Sequence, residues 1–312
     1  MTARAIVNPR SGGKRTAQLW PEVEAAMRQV IPDLDVVRTK GPGDATGLAR
    51  QALQDGVELV VGVGGDGTIN EVVNGFLDDS GAPRSAAAEL AIMMMGTGGD
   101  FRRTFGIGPS WRDCLDVIAS GRSRTIDVGR LEFTDAQGNT AKRYFDNIAS
   151  FGASGAIVHA VNTARWSKLL GGTFAFKWAT VVGLMGYRTR KVRIRIDDAF
   201  DEVLDLTLCA VCNGRYFGGG MCIGPQAELD DALFDVVLVA DMGALDFVRH
   251  SSMLYAGEHI GKRGIRVIRG KRVIAEPVDG DGAVTLLDVD GEGPGSLPAT
   301  FEIVPSALHV RA

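Results

Sequence analysis

Residues 61–70, VGVGGDGTIN, place one carboxylate among glycines, between an apolar run and the start of a helix. Glycines in such a turn let backbone N–H groups close on phosphate oxygens, so Asp66 stands where anionic oxygens belong. Two similar turns follow strand-like runs, at 8–13 (NPRSGG) and 96–101 (GTGGDF). In an open parallel sheet, such turns lie beyond the carboxyl ends of the strands, where ligands bind. Three of them converging would hold a polyphosphate.

Two familiar phosphate patterns fail on particular residues. A Walker loop needs a glycine where Asn8 stands and a hydroxyl where Arg15 stands. The dinucleotide fingerprint is literally present as Gly62, Gly64 and Gly67, but Asp66 would repel a pyrophosphate. The strand at 90–95 also runs into GTGG with no acidic residue for a ribose. Hydride transfer is therefore disfavoured. A divalent cation between Asp66 and the phosphates removes the conflict, because magnesium takes one or two carboxylates together with phosphate oxygens. Gly64, Gly65 and Gly67 then admit the backbone, and Thr68 and Asn70 donate to phosphate oxygens at the helix start. This is the chemistry of a phosphotransferase acting on a nucleotide triphosphate with Mg2+.

The elements that must position these turns follow from periodicity. At 312 residues, 45% hydrophobic and 23% charged, the chain is long enough for two domains. Strands are expected at 3–8, 34–39, 57–63 and 90–95, alternating with helices. The first helix has Pro21 in its opening turn and buries Trp20, Val23, Met27 and Val30. The second buries Ala45, Leu48, Ala49, Ala52 and Leu53. The third opens at Thr68 with Glu71 as a capping box, and buries Ile69, Val72, Val73, Phe76 and Leu77. From about residue 126 short strand-like runs take over, the pattern of an antiparallel sandwich or barrel. The expected fold is α/β: a doubly wound parallel sheet over 1–125, then a β-sandwich over 126–312 whose last strand returns to the first domain.

Composition narrows the partners. A net charge of −4 gives no general pull towards nucleic acid, so no nucleic-acid partner is expected. The N-terminal residues have no apolar leader segment, and the expectation is a cytoplasmic protein. Cys209 and Cys212 form a C-x-x-C within an apolar strand-like run, which reads as core rather than as a redox pair or zinc site. The four histidines are isolated. The stretch 166–191 is apolar but interrupted by Lys177, and reads either as a helix at the domain boundary or as a surface that meets lipid. The basic runs KVRIRI (191–196) and 261–272 suit anionic headgroups or, equally, a solvated strand face.

The segments IVNPRSGG, GGDGTINEVVNG, GTGGDF, PQAELDDALFDV and DVDGEGPG occur in that order. Together they resemble the bacterial diacylglycerol kinase and sphingosine/ceramide kinase superfamily of lipid kinases across nearly the whole chain. GGDGT alone is shared with NAD kinases and, more loosely, phosphofructokinases. The resemblance implies that ATP lies between an NAD kinase-like α/β domain and the sandwich, touching Asn8, Thr39, Gly64 to Asn70 and Thr97. Asp66 would support magnesium and the acceptor, and Glu292 would accept the proton of the lipid hydroxyl. Glu228, Asp231 and Leu233 would hold a structural magnesium. The acceptor would be diacylglycerol, ceramide or a sphingoid base, reached by peripheral membrane contact, with a homodimer as one possible assembly.

From residue types alone, Asp290-Gly291-Glu292 is a solvated hairpin tip, and Asp230 and Asp231 cap a turn. Two positions depart from the family pattern. Gly99 replaces an asparagine beside the nucleotide, and Ala232 replaces a glycine, leaving a positive φ there open. Two rivals stand beside the lipid kinase. One is an NAD kinase-like enzyme with a soluble substrate; the other is a nucleotide-binding regulator that has lost catalysis, suggested by Gly99.

Overall fold

A computed structural model describes residues 1–163, 189–240, 251–278 and 284–312 of the chain. The apolar stretch expected to pack at the boundary or meet lipid has its positions 166–188 outside the described residues. Among those described, no helix is long and apolar enough to cross a membrane.

The N-terminal half is a parallel sheet of β1 (Ala3–Val7), β2 (Asp35–Arg38), β3 (Leu59–Gly64) and β4 (Glu89–Met94), in the order β2-β1-β3-β4. Helices α1 (Arg15–Val30), α2 (Asp44–Gln54) and α3 (Asp66–Phe76) alternate with the strands, and α4 (Asp100–Thr104) and α5 (Trp111–Ser120) follow. β3 is buried from end to end, which is why its sequence is a continuous apolar run: both faces are covered. α2 buries Ala45, Ala49, Ala52 and Leu53 as expected, while Leu48 is only partly covered.

Three local expectations change. A short 3-10 turn, Ser11–Lys14, precedes α1, so the helix starts at Arg15 and Pro21 lies inside it rather than in the opening turn. That position gives up one backbone bond, which packing of Trp20, Val23 and Met27 offsets. Val30 is exposed, and Ile31 closes the core in its place. The third helix begins at Asp66 with Gly65 as its N-cap and no side-chain cap. Thr68 Oγ1 instead accepts a bond from Asn8 Nδ2 at 2.9 Å, and Glu71 caps α2 by accepting from the N–H groups of Gly43 (2.8 Å) and Ala45 (3.1 Å). Tertiary partners displaced the local box.

The remaining strands are antiparallel: β5 (Ser123–Asp135), β6 (Thr140–Phe145), β7 (Ile148–Gly152), β8 (Arg190–Ile196), β9 (Phe200–Cys212), β10 (Phe234–Ala240), β11 (Ile265–Gly270), β12 (Arg272–Pro277) and β13 (Leu287–Val289). Among the described residues, two helices, α6 (Ala153–Thr163) and α7 (Ser251–Ala256), interrupt them. The long last strand, β14 (Gly295–Arg311), pairs antiparallel with β5 and β12. Its end then runs parallel to β4, with His309 opposite Glu89, so this strand joins the antiparallel strands to the parallel ones in one continuous sheet. A second core gathers Phe145, Phe151, Phe234 and Phe301, with the rings of Phe145 and Phe234 stacked at 5.6 Å. All four cysteines are unpaired and buried.

The basic runs are largely matched across strands. Arg193 pairs with Asp201 (2.6 Å), Arg195 with Glu276 (2.9 Å), Arg266 with Glu202 (2.9 Å) and Arg272 with Glu302 (2.9 Å). Val192, Ile194 and Ile196 on the opposite face are buried. These arginines form a solvated charge ladder rather than a free cationic patch.

Candidate active site

The three glycine turns meet. A Cβ on Gly96 would lie 2.5 Å from the Gly65 Cα, and one on Gly65 would lie 3.3 Å from Ser11 Oγ. Asn8 fastens the first turn to the next: its N–H reaches Val63 C=O (2.9 Å) and its side chain reaches Thr68. Thr39 is half-buried past the end of β2, where its N–H bonds to Val7 C=O at 2.9 Å, and Thr97 is exposed at the rim.

Asp66, in the first turn of α3, crosses to the third glycine turn. Its Oδ2 accepts from Gly99 N–H at 2.6 Å and its Oδ1 from Phe101 N–H at 3.2 Å, so it caps α4. A Cβ on Gly98 would collide with this carboxylate, and Gly99 has φ of 74°, the left-handed region in which asparagine is also tolerated. The next residue, Asp100, is a site group whose sequence signal is only its place within GTGGDF. It accepts from Gly219 N–H at 2.7 Å and pairs with Arg103 at 2.6 Å. Burial raises its pKa, and the neighbouring Asp66 charge adds to the rise.

Glu292 is brought to the same place from the far end of the chain. A Cβ on Gly67 would lie 3.3 Å from its Oε1, while its Oε2 pairs with Arg143 at 2.8 Å. The turn that carries it is not a free hairpin tip. Asp290, at φ of 48°, accepts through Oδ2 from Asn70 Nδ2 (2.7 Å) and Asp146 N–H (3.0 Å), and through Oδ1 from Ile148 N–H (2.8 Å). Asn70 is fully buried, its amide committed to Asp290, Asp146 and the Tyr144 carbonyl. The side chain thus ties α3 to the Glu292 turn instead of facing a ligand.

Three carboxyls support the turn and were missed. Burial pushes Asp146 up to about 6, and burial together with the Asp146 charge raises Asp290. Burial also pushes Asp288 up to about 7; it accepts from Gly291 N–H (3.0 Å) and Ser150 Oγ (3.3 Å). A carboxylate inside an apolar strand run, as in RYFDNI or LLDVD, was the available signal, because buried charge needs a reason.

The two metal expectations fare differently. Asp66 is half-buried and retains acceptor capacity beyond its two N–H bonds. With Asp100 beside it, it offers hard oxygen in a locally negative cleft, which fits magnesium. At 228–233 the central carboxylate, Asp231, is otherwise engaged. The Arg269 guanidinium sits on Asp231 Oδ2 and on Asp235 (3.0 Å), and Asp231 Oδ1 accepts from Leu233 N–H at 3.1 Å. Glu228 is exposed. Among the described residues, no group of three acidic, histidine or cysteine side chains is disposed to hold a metal. Glu228, Asp231 and Leu233 therefore do not fit a structural magnesium in this arrangement, because an arginine supplies the positive charge. The loop keeps its left-handed residue without glycine: Ala232 has φ of 59°, and its N–H bonds to Asp127 Oδ2 at 2.7 Å.

Comparison with known proteins agrees with this architecture. Residues 2–131 match the diacylglycerol kinase catalytic domain, and residues 147–312 match the YegS C-terminal NAD kinase beta sandwich-like domain. The diacylglycerol kinase of Staphylococcus carnosus is 30% identical over 300 residues, covering 96% of this chain and 91% of that protein. That of Bacillus subtilis is 30% identical over 315 residues, covering 99% and 95%. The chain belongs to the diacylglycerol kinase family. It is a lipid kinase, and the resemblance read from NPRSGG, GGDGT and the distal DGE holds. A crystal structure of a diacylglycerol kinase from Bacillus anthracis shares the fold with a TM-score of 0.69 at 23% identity, covering 99% of this chain and 96% of that one. Yeast NADH kinase complexed with NADH shares it more distantly, with a TM-score of 0.52 at 10% identity, covering 99% and 82%. The kinase therefore has an α/β domain and a C-terminal sandwich, as its periodicity implied.

Proposed function

We propose that this lipid kinase transfers the γ-phosphoryl group of ATP, with Mg2+, to a hydroxyl of a diacylglycerol-class lipid. The convergence of Asp66 and Glu292 on one phosphate-type turn, from positions far apart in sequence, carries the reading. Magnesium, when bound, would neutralise charge on the transferring phosphoryl group.

The chain's own residues do the rest. The turns at 8–13, 64–67 and 96–98 present backbone N–H groups to phosphates, with Thr97 and Thr39 at the rim. Asp66 is the residue that would hold the metal, and its two N–H bonds fix its direction before any ligand arrives. Glu292 Oε1, the oxygen on the Gly67 side, takes the proton from the attacking lipid hydroxyl. No covalent nucleophile is needed, since phosphoryl transfer depends mainly on positioning and charge neutralisation. The acceptor resides in a bilayer, so the kinase works by peripheral contact with a membrane surface.

Radiolabelled ATP incubated with the enzyme and either diacylglycerol mixed micelles or NAD tests this reading. Magnesium-dependent label in phosphatidic acid, with none in NADP, is expected. Label in NADP alone would refute the lipid assignment, and label in lipid at full rate with EDTA present would refute the metal role.

A further inference from the structure

We propose that Arg143 is a positioning residue for the reaction, holding Glu292 in its working orientation from a seat built by Asn70. The inference rests on Glu292 being the proton acceptor, as proposed above. Glu292 lies on a turn with its side chain about half exposed (45%), and an unrestrained glutamate there would sample several rotamers. Arg143, on β6, occupies one carboxylate oxygen, Oε2, at 2.8 Å. That leaves Oε1 as the oxygen nearest Gly67, on the phosphate-turn side. One oxygen anchors and the other faces the site.

Arg143 is itself fixed. Its Nη2 and Nε donate to Asn70 Oδ1 at 2.8 and 3.2 Å, so a single guanidinium bridges Asn70 and Glu292. The amide hydrogens of Asn70 are shared among Tyr144 C=O (3.1 Å), Asp146 Oδ1 (2.8 Å) and Asp290 Oδ2 (2.7 Å). The same side chain therefore holds the Glu292 turn twice, directly through Asp290 and indirectly through Arg143. Asn70 lies four residues after Asp66 on α3, one turn along the same face. One helix thus sets both the residue proposed to hold the metal and the residue proposed to take the proton. A planar fork is required for the bridge, which an ammonium cannot reproduce in full.

The test is steady-state kinetics of the full chain with lipid micelles, together with ATP binding measured separately. Arg143→Met should lower kcat about 10- to 100-fold while the ATP dissociation constant stays within about twofold. Arg143→Lys should recover part of the loss, since it can reach Glu292 but not bridge to Asn70. If the methionine variant does not fold, the lysine variant decides, with an expected kcat loss of about tenfold at unchanged ATP affinity. Both variants within threefold of wild type would overturn the proposal, as would a kcat loss matched by an equal loss of ATP affinity. Glu292→Gln separates the two readings. If it is inactive while Arg143→Met is normal, only the Arg143 role falls; if it is fully active, the proton-acceptor assignment falls and takes the Arg143 role with it.

Discussion

The Asp100 carboxylate accepts the Gly219 N–H at 2.7 Å, joining the helix after the third glycine turn to the loop that follows β9. That helix is capped from the other side by Asp66. The short helix is therefore tied to α3 through Asp66 and to the loop after β9 through its own first residue, Asp100. Burial raises the pKa of Asp100 first and the neighbouring Asp66 charge adds to it; a cation at Asp66 would relieve that second part.

Asp66→Asn should leave the fold standing and remove turnover. An amide retains one acceptor for the α4 cap, so the stability loss should be about 1 kcal/mol. Loss of the anionic oxygen should cut kcat by about 10³-fold or more if that oxygen holds the metal. Thermal melts and micelle assays on the same preparation check both halves. Near-normal turnover would remove Asp66 from the reaction.

Gly98→Ala tests whether the direction of Asp66 matters, without touching its charge. The new Cβ would occupy space held by Asp66 Oδ2, forcing the carboxylate aside. A displacement of about 1 Å at a reacting centre can cost about 10²-fold in rate. Loss of kcat on that scale is expected with the melting temperature little changed, and a crystal structure of the variant should show Asp66 rotated away from Gly99 N–H.

Much of this site was legible because its residues cluster in sequence. The glycine turns, Asp66 and the alternating strands and helices announce themselves through local composition and period. What was not legible depended on distance along the chain. Asn70 looked like a phosphate donor because it opens a helix after glycines, yet its partners are 74, 76 and 220 residues away. Glu71 matched a capping box, but the N-terminus it caps is that of α2. Asp231 matched a metal ligand, and no local pattern reveals that Arg269 reaches it. Single residues reused across elements are hidden from any window of sequence.

Arg269 gives the fourth prediction. Asp235 is buried, and burial raises its pKa despite the arginine alongside. Removing the guanidinium in Arg269→Met should leave that carboxyl poorly compensated, at a cost of about 2 kcal/mol, between an exposed and a fully buried pair. The vacated space lies between Asp231 and Asp235, so millimolar Mg2+ should raise the melting temperature of the variant but not of the wild type. An equal magnesium response in both proteins would mean that a metal already displaces Arg269 in the native loop.

Asp288 predicts a pH dependence whose sign is fixed by its burial. Its folded-state pKa, pushed up to about 7, lies above the ordinary value of 3.8. Between those values the folded protein binds a proton that the unfolded chain has released, so stability falls as pH rises. The contribution is complete below about pH 4 and lost as pH passes 7. Asp146, pushed up to about 6, acts in the same direction, whereas His259, lowered by burial, acts oppositely as pH falls below its ordinary value. Asp288→Asn removes one of these terms while keeping an acceptor for Gly291 N–H. Relative to wild type, the variant should be unchanged near pH 3.5 and more stable near pH 8, by roughly 1–4 kcal/mol. Denaturant melts at the two pH values give the difference directly. Parallel curves for the two proteins would show that the Asp288 carboxyl is already ionised across this range and that its burial is balanced by bonds other than those to Ser150 and Gly291.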